Sequence, residues 1–256
     1  MLKKLMLITI AAVLLAGDLI AGESKKSPTA PTQKVEIRDG DIIREAIARQ
    51  VKKKTDELTD EDYKKTTELD LTGTKISDLE PIRELKDLQV LKLSNTQVSN
   101  IEPIKGLSNL QWLGPDGSKV TNIEPLKGLS NLQTLNLTST QVSNIEPLKD
   151  LSKLQELNLI HTQVSNIESL KGLSNLQSLG LSSTQVSSIE PLKGLSNLQY
   201  LHLSKTKISN IEPLKGLSNL QRLDLSGTPV SDKQVDELKK ALSKLRIIRY
   251  PEYQKQ

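Results

Sequence analysis

A single 22-residue period fills most of this chain. The segment Leu-Ser-Asn-Leu-Gln begins at Leu107, Leu129, Leu173, Leu195 and Leu217, with variants starting at Leu85 and Leu151, and each start lies 22 residues after the last. A degenerate unit with Leu69, Leu71, Thr74, Ile76, Leu79 and Pro81 lies one period before Leu85, and one period beyond Leu223 and Leu225 come Leu245 and Ile247. A period of this length means one small supersecondary unit per repeat, stacked as a solenoid. About nine strand-like segments are expected.

One unit, starting at Leu129, reads LSNLQTLNLTSTQVSNIEPLKD. Leu135 and Leu137 sit two apart, so both face one side of a short strand. Thr140 and Val142 turn the chain away, and Ile145, Leu148 and Leu129 return to the same interior. No unit can enclose its own apolar side chains. Stacking buries them, at about 1.5–3 kcal/mol each. The composition fits this arrangement: Phe is absent and aromatic residues total 2%, because a fixed cross-section is filled repeatedly by aliphatic side chains. Ser143-Asn144-Ile145-Glu146 has the form of a capping box with Pro147 behind it, which predicts a short helical or 3₁₀ turn over 145–149, closed by glycine in copies such as Gly106, Gly128 and Gly172. Glu and Lys three residues apart in each turn form two offsetting ladders on a solvated structural face.

This pattern resembles the leucine-rich repeat of the 22-residue class, as in bacterial internalin-type repeats and the SDS22-like phosphatase-regulator repeats. The resemblance is carried by Leu132, Leu135, Leu137, Thr140, Val142, Ile145, Pro147, Leu148 and their equivalents over roughly 68–225. It implies an α/β solenoid: a horseshoe with a parallel concave β-sheet of about nine strands, short 3₁₀ or helical turns on the convex side, and helical caps at both ends. Where the family has Asn after the strand, this chain has Thr (Thr96, Thr140, Thr162, Thr184, Thr206, Thr228) and once Ser118, so hydroxyls are expected to make the ladder hydrogen bonds. Residues 41–54 have apolar side chains at helical spacing, and Leu58-Thr59-Asp60-Glu61-Asp62 resembles the acidic turn of an internalin-type N-terminal cap. In 233–245, Val235, Leu238, Leu242 and Leu245 share a helical face. An open solenoid end exposes apolar surface, so such caps are physically required. No immunoglobulin-like domain or wall-sorting signal follows in the sequence, so a host-cell invasion role is not carried over from the internalins.

The repeats can be compared with one another. Framework positions barely change, whereas the positions alternating with the strand leucines vary freely and point onto the inner sheet. Solenoids use that surface to hold extended partners. Lys92, Trp112, Asp116, Asn136, Glu156, Asn158, Ile160, Tyr200, His202, Arg222 and Asp224 are the candidate partner-binding residues. Trp, Tyr and Arg are the types most often found as interface hot spots. Tyr200, His202, Arg222 and Asp224 are expected to form one patch, and Trp112, Lys92, Asn136, Glu156 and Asn158 a second. One repeat breaks the rule: Pro115 replaces a strand Leu in Leu113-Gly114-Pro115-Asp116-Gly117. Either a bulge pushing Trp112 or Asp116 outward or tolerated drift is expected there.

Domain boundaries follow composition. Residues 1–22 read as a secretory signal peptide: Lys3 and Lys4 precede an apolar run over 5–16 that is too short to span a bilayer. Leu15-Ala16-Gly17-Asp18 matches a lipoprotein cleavage site except that Asp18 stands where the lipidated Cys would be, so no lipid anchor is expected. Cleavage is placed near Gly17 or after Ala21 or Gly22. Residues 23–35 read as a polar linker, 36–65 as the N-terminal cap, 66–230 as the repeat array and 231–256 as the C-terminal cap helix, last strand and tail.

Chemistry finds little support. The chain has no Cys and two His, which excludes thiolate sites and a multi-His metal centre. His161 and His202 fall in different columns two coils apart. Glu156 and Asp116 lie on an open face with no desolvated pocket to shift a carboxylate pKa. No P-loop, GxSxG or HExxH occurs, and Asn136-Leu137-Thr138 reads as a chance sequon within a strand. The net charge of +4 comes from 35 basic and 31 acidic residues interleaved along the chain, which does not point to nucleic acid. No catalytic residue, metal site or cofactor is expected. The reading is an exported, periplasmic or extracellular module that binds a protein or peptide without spanning a membrane. The alternatives are an envelope-associated spacer or, were the N-terminus not a signal, an SDS22-like regulatory subunit.

Overall fold

The structure is a computed structural model that describes residues 38–250. The expected signal peptide, the linker and the last residues of the tail lie outside the described residues. Nine three-residue strands form one sheet in chain order, every neighbouring pair parallel: β1 (Glu68–Asp70), β2 (Val90–Lys92), β3 (Trp112–Gly114), β4 (Thr134–Asn136), β5 (Glu156–Asn158), β6 (Ser178–Gly180), β7 (Tyr200–His202), β8 (Arg222–Asp224) and β9 (Arg246–Ile248). Equivalent residues of successive coils face each other, so Leu113, Leu135, Leu157, Leu179 and Leu201 form one buried column. The last step differs from the sequence expectation. Leu223 pairs with Ile247, 24 residues on rather than 22, because helix α3 (Asp232–Ala241) replaces the short turn of the other coils.

Each convex turn is a 3₁₀ helix, for example Glu124–Leu126 and Glu146–Leu148. The expected capping box is not formed. The residue before the turn is Ile145, which offers no polar side chain, and the third residue of the turn is Leu148, where a box requires Glu or Gln. Asn144 Oδ1 instead accepts from the Glu146 N–H at 3.0 Å, and Asn100, Asn122, Asn166 and Asn210 repeat this at 2.9 Å. Gly106, Gly128 and Gly172 follow their turns at φ 84–97°, where the chain leaves in a left-handed conformation. The Glu–Lys pairs span 2.6–3.9 Å and are solvent-exposed, which makes each worth at most about 1 kcal/mol.

The threonine column also behaves differently from expectation. Thr140 Oγ1 donates to Leu137 O at 2.7 Å, and Thr96, Thr162, Thr184 and Thr206 each bond the carbonyl three residues back at 2.6–2.8 Å. In this column the hydroxyl meets the carbonyl of its own strand end and closes its own turn. The rungs between coils are made there by backbone, as in Gln163 N–H to Val142 O at 3.0 Å. Ser118 Oγ is buried with no hydrogen-bond partner, and nothing in the structure explains it.

Pro115 causes no bulge. Trp112 and Leu113 keep register with Thr134 and Leu135, and Pro115 is buried in the place of the usual Leu. The cost is one rung: Leu93, Leu137 and Leu159 each donate a backbone N–H to the next coil, and proline has none to give.

Both ends are covered. Helix α1 (Asp39–Val51) buries Ile43, Ala46 and Ile47 against the first coil. Its Asp39 carboxylate accepts from Ser77 N (3.2 Å), Ser77 Oγ (3.0 Å) and Asp78 N (2.8 Å). Helix α2 (Asp60–Lys64) starts at Thr59 in a capping box with Asp62. Hydrogen bonds from Lys53 (2.7 Å) and Thr59 lower the Asp62 pKa to about 2. At the other end Val235 and Leu238 of α3 are buried, Gln234 Oε1 caps the Ile211 N–H at 3.1 Å and Glu237 pairs with Lys215 at 3.1 Å. No helix among the described residues is long and apolar enough to cross a membrane.

Candidate binding surface

Alternation within each strand sends the central Leu into the core and its two neighbours onto the concave face. In-register stacking then turns each variable sequence position into a row of adjacent side chains. One row runs Glu68, Val90, Trp112, Thr134, Glu156, Ser178, Tyr200, Arg222, Arg246; the next runs Asp70, Lys92, Gly114, Asn136, Asn158, Gly180, His202, Asp224, Ile248. Asp116 and Ile160 follow the strand ends. All eleven residues singled out from the sequence thus lie on or beside the sheet.

They do not divide into the two expected patches. A shallow depression of about 320 Å³ spans β3 to β7 and is lined by Trp112, Asn136, Glu156, Asn158, Ile160 and His202 together with Thr134, Leu135, Leu157, Ser178 and Gly180. His202 therefore closes the far wall of the Trp112 group. Two glycines shape this floor. A Cβ at Gly114 would stand 2.8 Å from Trp112 Cζ3, so the indole lies folded over that residue. A Cβ at Gly180 would stand 2.7 Å from Asn158 Oδ1 and 3.1 Å from Ile160 Cγ1.

Lys92 belongs elsewhere. Its ammonium binds Glu68 at 2.7 Å and lies 3.8 Å from Asp70, and the Glu68 hydrogen bond raises its pKa above the ordinary lysine value. Asp116 accepts from Ser94 Oγ at 2.8 Å. At the C-terminal end Tyr200 is 40% exposed beside Arg222 and Arg246, while Asp224 Oδ1 accepts from the Ser226 N–H at 3.0 Å. Arg246 was missed by a strict 22-residue step, and the helical spacing of 233–245 was the signal that the last coil is longer. Thr134, Ser178 and Gly180 stand in the variable columns but are small enough to read as filler. His161 lies off this surface, exposed at a turn with φ 56°. No group of His, Asp or Glu among the described residues is arranged to hold a metal.

The chain matches the family described as leucine-rich repeats (two copies) over residues 67–109, 152–194 and 196–240. Among solved structures it is similar to internalin C2 from Listeria monocytogenes, with 33% identity and a TM-score of 0.76, covering 82% of this chain and 92% of that one. An internalin (inlF) from the same organism aligns at 23% identity and a TM-score of 0.65, over 81% of this chain and 74% of the other. A leucine-rich-repeat protein of Leptospira interrogans aligns at 23% identity and a TM-score of 0.57, over 70% of this chain and 59% of that chain. These last two share the fold. No curated protein matches the sequence.

Proposed function

The chain belongs to the leucine-rich-repeat family, internalin type, and we propose that it is an exported, non-catalytic module that holds a protein or peptide partner on its concave sheet. The family and fold support a protein-interaction module. The depression from Trp112 to His202 carries the more specific reading. Apart from the framework leucines Leu135 and Leu157, it is assembled from positions that vary between otherwise repetitive coils, and the lone Trp of the chain forms its wall. The mechanism is preorganisation. Each side chain stands on a hydrogen-bonded strand over a packed core, so a partner loses little free energy to ordering the surface it meets. The open, shallow floor suits a docked segment better than an enclosed small molecule.

The test uses the full chain and a Trp112→Ala/Tyr200→Ala variant as baits on envelope and culture fractions. The intact protein captures a partner that the variant, with unchanged circular dichroism, binds at least about tenfold more weakly. Equal capture by both contradicts the reading. Export is checked by N-terminal mass spectrometry: the expected mature chain starts after Gly17, Ala21 or Gly22, and a cytoplasmic chain retaining residues 1–22 contradicts it.

A further inference from the structure

The concave face is electrically asymmetric. At its first strands Glu68, Asp70 and Asp116 outnumber Lys92. At its last strands Arg222 and Arg246 are in-register neighbours on β8 and β9, both exposed. Like charges directly abreast on a sheet repel, and at several places in this molecule a basic side chain is answered by an acid. Arg83 binds Glu80, Arg249 binds Asp232, and the convex lysines each have a Glu three residues away. Arg222 and Arg246 make no ion pair or side-chain hydrogen bond among the described residues. The nearby Asp224 is engaged by the Ser226 backbone instead. Two arginines rooted on adjacent strands, whose backbones lie about 4.8 Å apart, offer two guanidinium forks suited to paired carboxylates. Tyr200 stands next in the same row.

We propose that Arg222 and Arg246 dock the acidic end of an extended segment of the partner, which runs along the solenoid from there to Trp112. The inference rests on the concave-face reading above and adds the chemistry and direction of the occupant. Six strand steps separate Trp112 from Arg246, about 29 Å, which an extended peptide covers in about nine residues. Carboxylates on alternate residues of such a peptide are about 6.6 Å apart, within reach of two long, flexible arginines. The acid excess at β1–β3 disfavours the reverse orientation.

The probes are acetylated hexaglutamate, hexalysine and inorganic phosphate, titrated into the full chain while the arginine Nε–Hε signals are followed by NMR. Hexaglutamate is expected to shift Arg222 and Arg246 selectively, more weakly as salt rises from about 50 to about 300 mM. The Arg222→Glu/Arg246→Glu variant is expected to bind hexaglutamate about tenfold more weakly and to gain affinity for hexalysine, which a merely structural role would not produce. Hexaglutamate that leaves both signals unmoved overturns the inference. So does phosphate that shifts them as strongly at equal concentration, which would mark an anion site with no preference for a peptide. The captured partner separates the two readings. If it is lost with Trp112→Ala but kept by the charge-reversed variant, only the acidic docking fails. If it is kept by both, the concave-face reading fails as well.

Discussion

Every coil turns its strand into the convex crossing through one residue in the left-handed region, and replacing the wrong residue types there with glycine is expected to stabilise the fold. The column reads Gly73, Asn95, Gly117, Ser139, His161, Ser183, Lys205 and Gly227, all at φ 55–70°. Glycine takes this conformation freely and asparagine often. Serine, histidine and lysine pay about 1–2 kcal/mol for it. Ser139, His161 and Lys205 are exposed and make no side-chain hydrogen bond, while their backbone N–H groups bond the next coil at 2.8–3.0 Å. Glycine keeps that rung and removes the strain, at about 0.5–1 kcal/mol of added unfolded-state entropy. The net gain is about 0.5–1 kcal/mol per site, and about 1.5–3 kcal/mol for Ser139→Gly/His161→Gly/Lys205→Gly combined. In urea unfolding followed by circular dichroism, an m-value of roughly 2–3 kcal/mol/M converts this to a midpoint rise of roughly 0.5–1.5 M. Gln185→Gly, exposed and outside the left-handed region, is the control and is expected to lose about 0.5–1 kcal/mol. If His161→Gly and Lys205→Gly destabilise as the control does, the strain argument is wrong.

Shortening Leu157 to Ala at the centre of the buried column is expected to cost about 3–5 kcal/mol in the same assay; a loss below about 1 kcal/mol would mean the coils are not packed as described. Gly114→Ala places a Cβ 2.8 Å from Trp112 Cζ3, so the indole is expected to swing off the sheet and its fluorescence to shift to the red, with no shift contradicting the folded-over geometry. Gly180→Val adds bulk beside Asn158 and Ile160 and is expected to weaken partner binding about tenfold with the fold intact, as read by titration of the captured partner. Asp62 has a folded pKa of about 2 against an ordinary 3.8. Because the folded value is the lower one, its stabilising effect is complete above about pH 4 and is lost as pH falls toward about 2. Carbon-13 carboxyl NMR is expected to give a midpoint near 2, and one near 4 would refute the Lys53–Thr59–Asp62 network.

The array was legible because identical columns leave one way to bury the leucines. A 22-residue step that repeats Leu135 at Leu157 and Leu179 dictates both stacking and register. What escaped the sequence depends on reach and on local turn length. Asn144 rather than Ser143 caps the convex turn, because a single 3₁₀ turn starts too late for the serine. The Thr140 hydroxyl bonds its own coil because the Leu137 carbonyl, three residues back, lies within its reach. Pro115 fits without a bulge, since the parallel sheet on both sides holds β3 in line and only one rung is lost. The left-handed column was visible only in part: Gly73, Gly117 and Gly227 mark it, while Lys205 and His161 conceal it. On the concave face the residue types pointed to the surface. Which of them act together was set by neighbours such as Gly114 and Gly180, whose missing side chains let Trp112 and Asn158 lie down, and by the longer last coil that brings Arg246 beside Arg222.

Hydroxyl-radical footprinting of the full chain, free and with its captured partner, reads the occupied face directly. Trp112, Tyr200 and His202 are expected to become protected on binding, while Tyr63 in the N-terminal cap and the residues of the convex turns oxidise as before. Protection of the convex turns with Trp112 and Tyr200 unchanged would place the partner on the opposite wall and contradict the account.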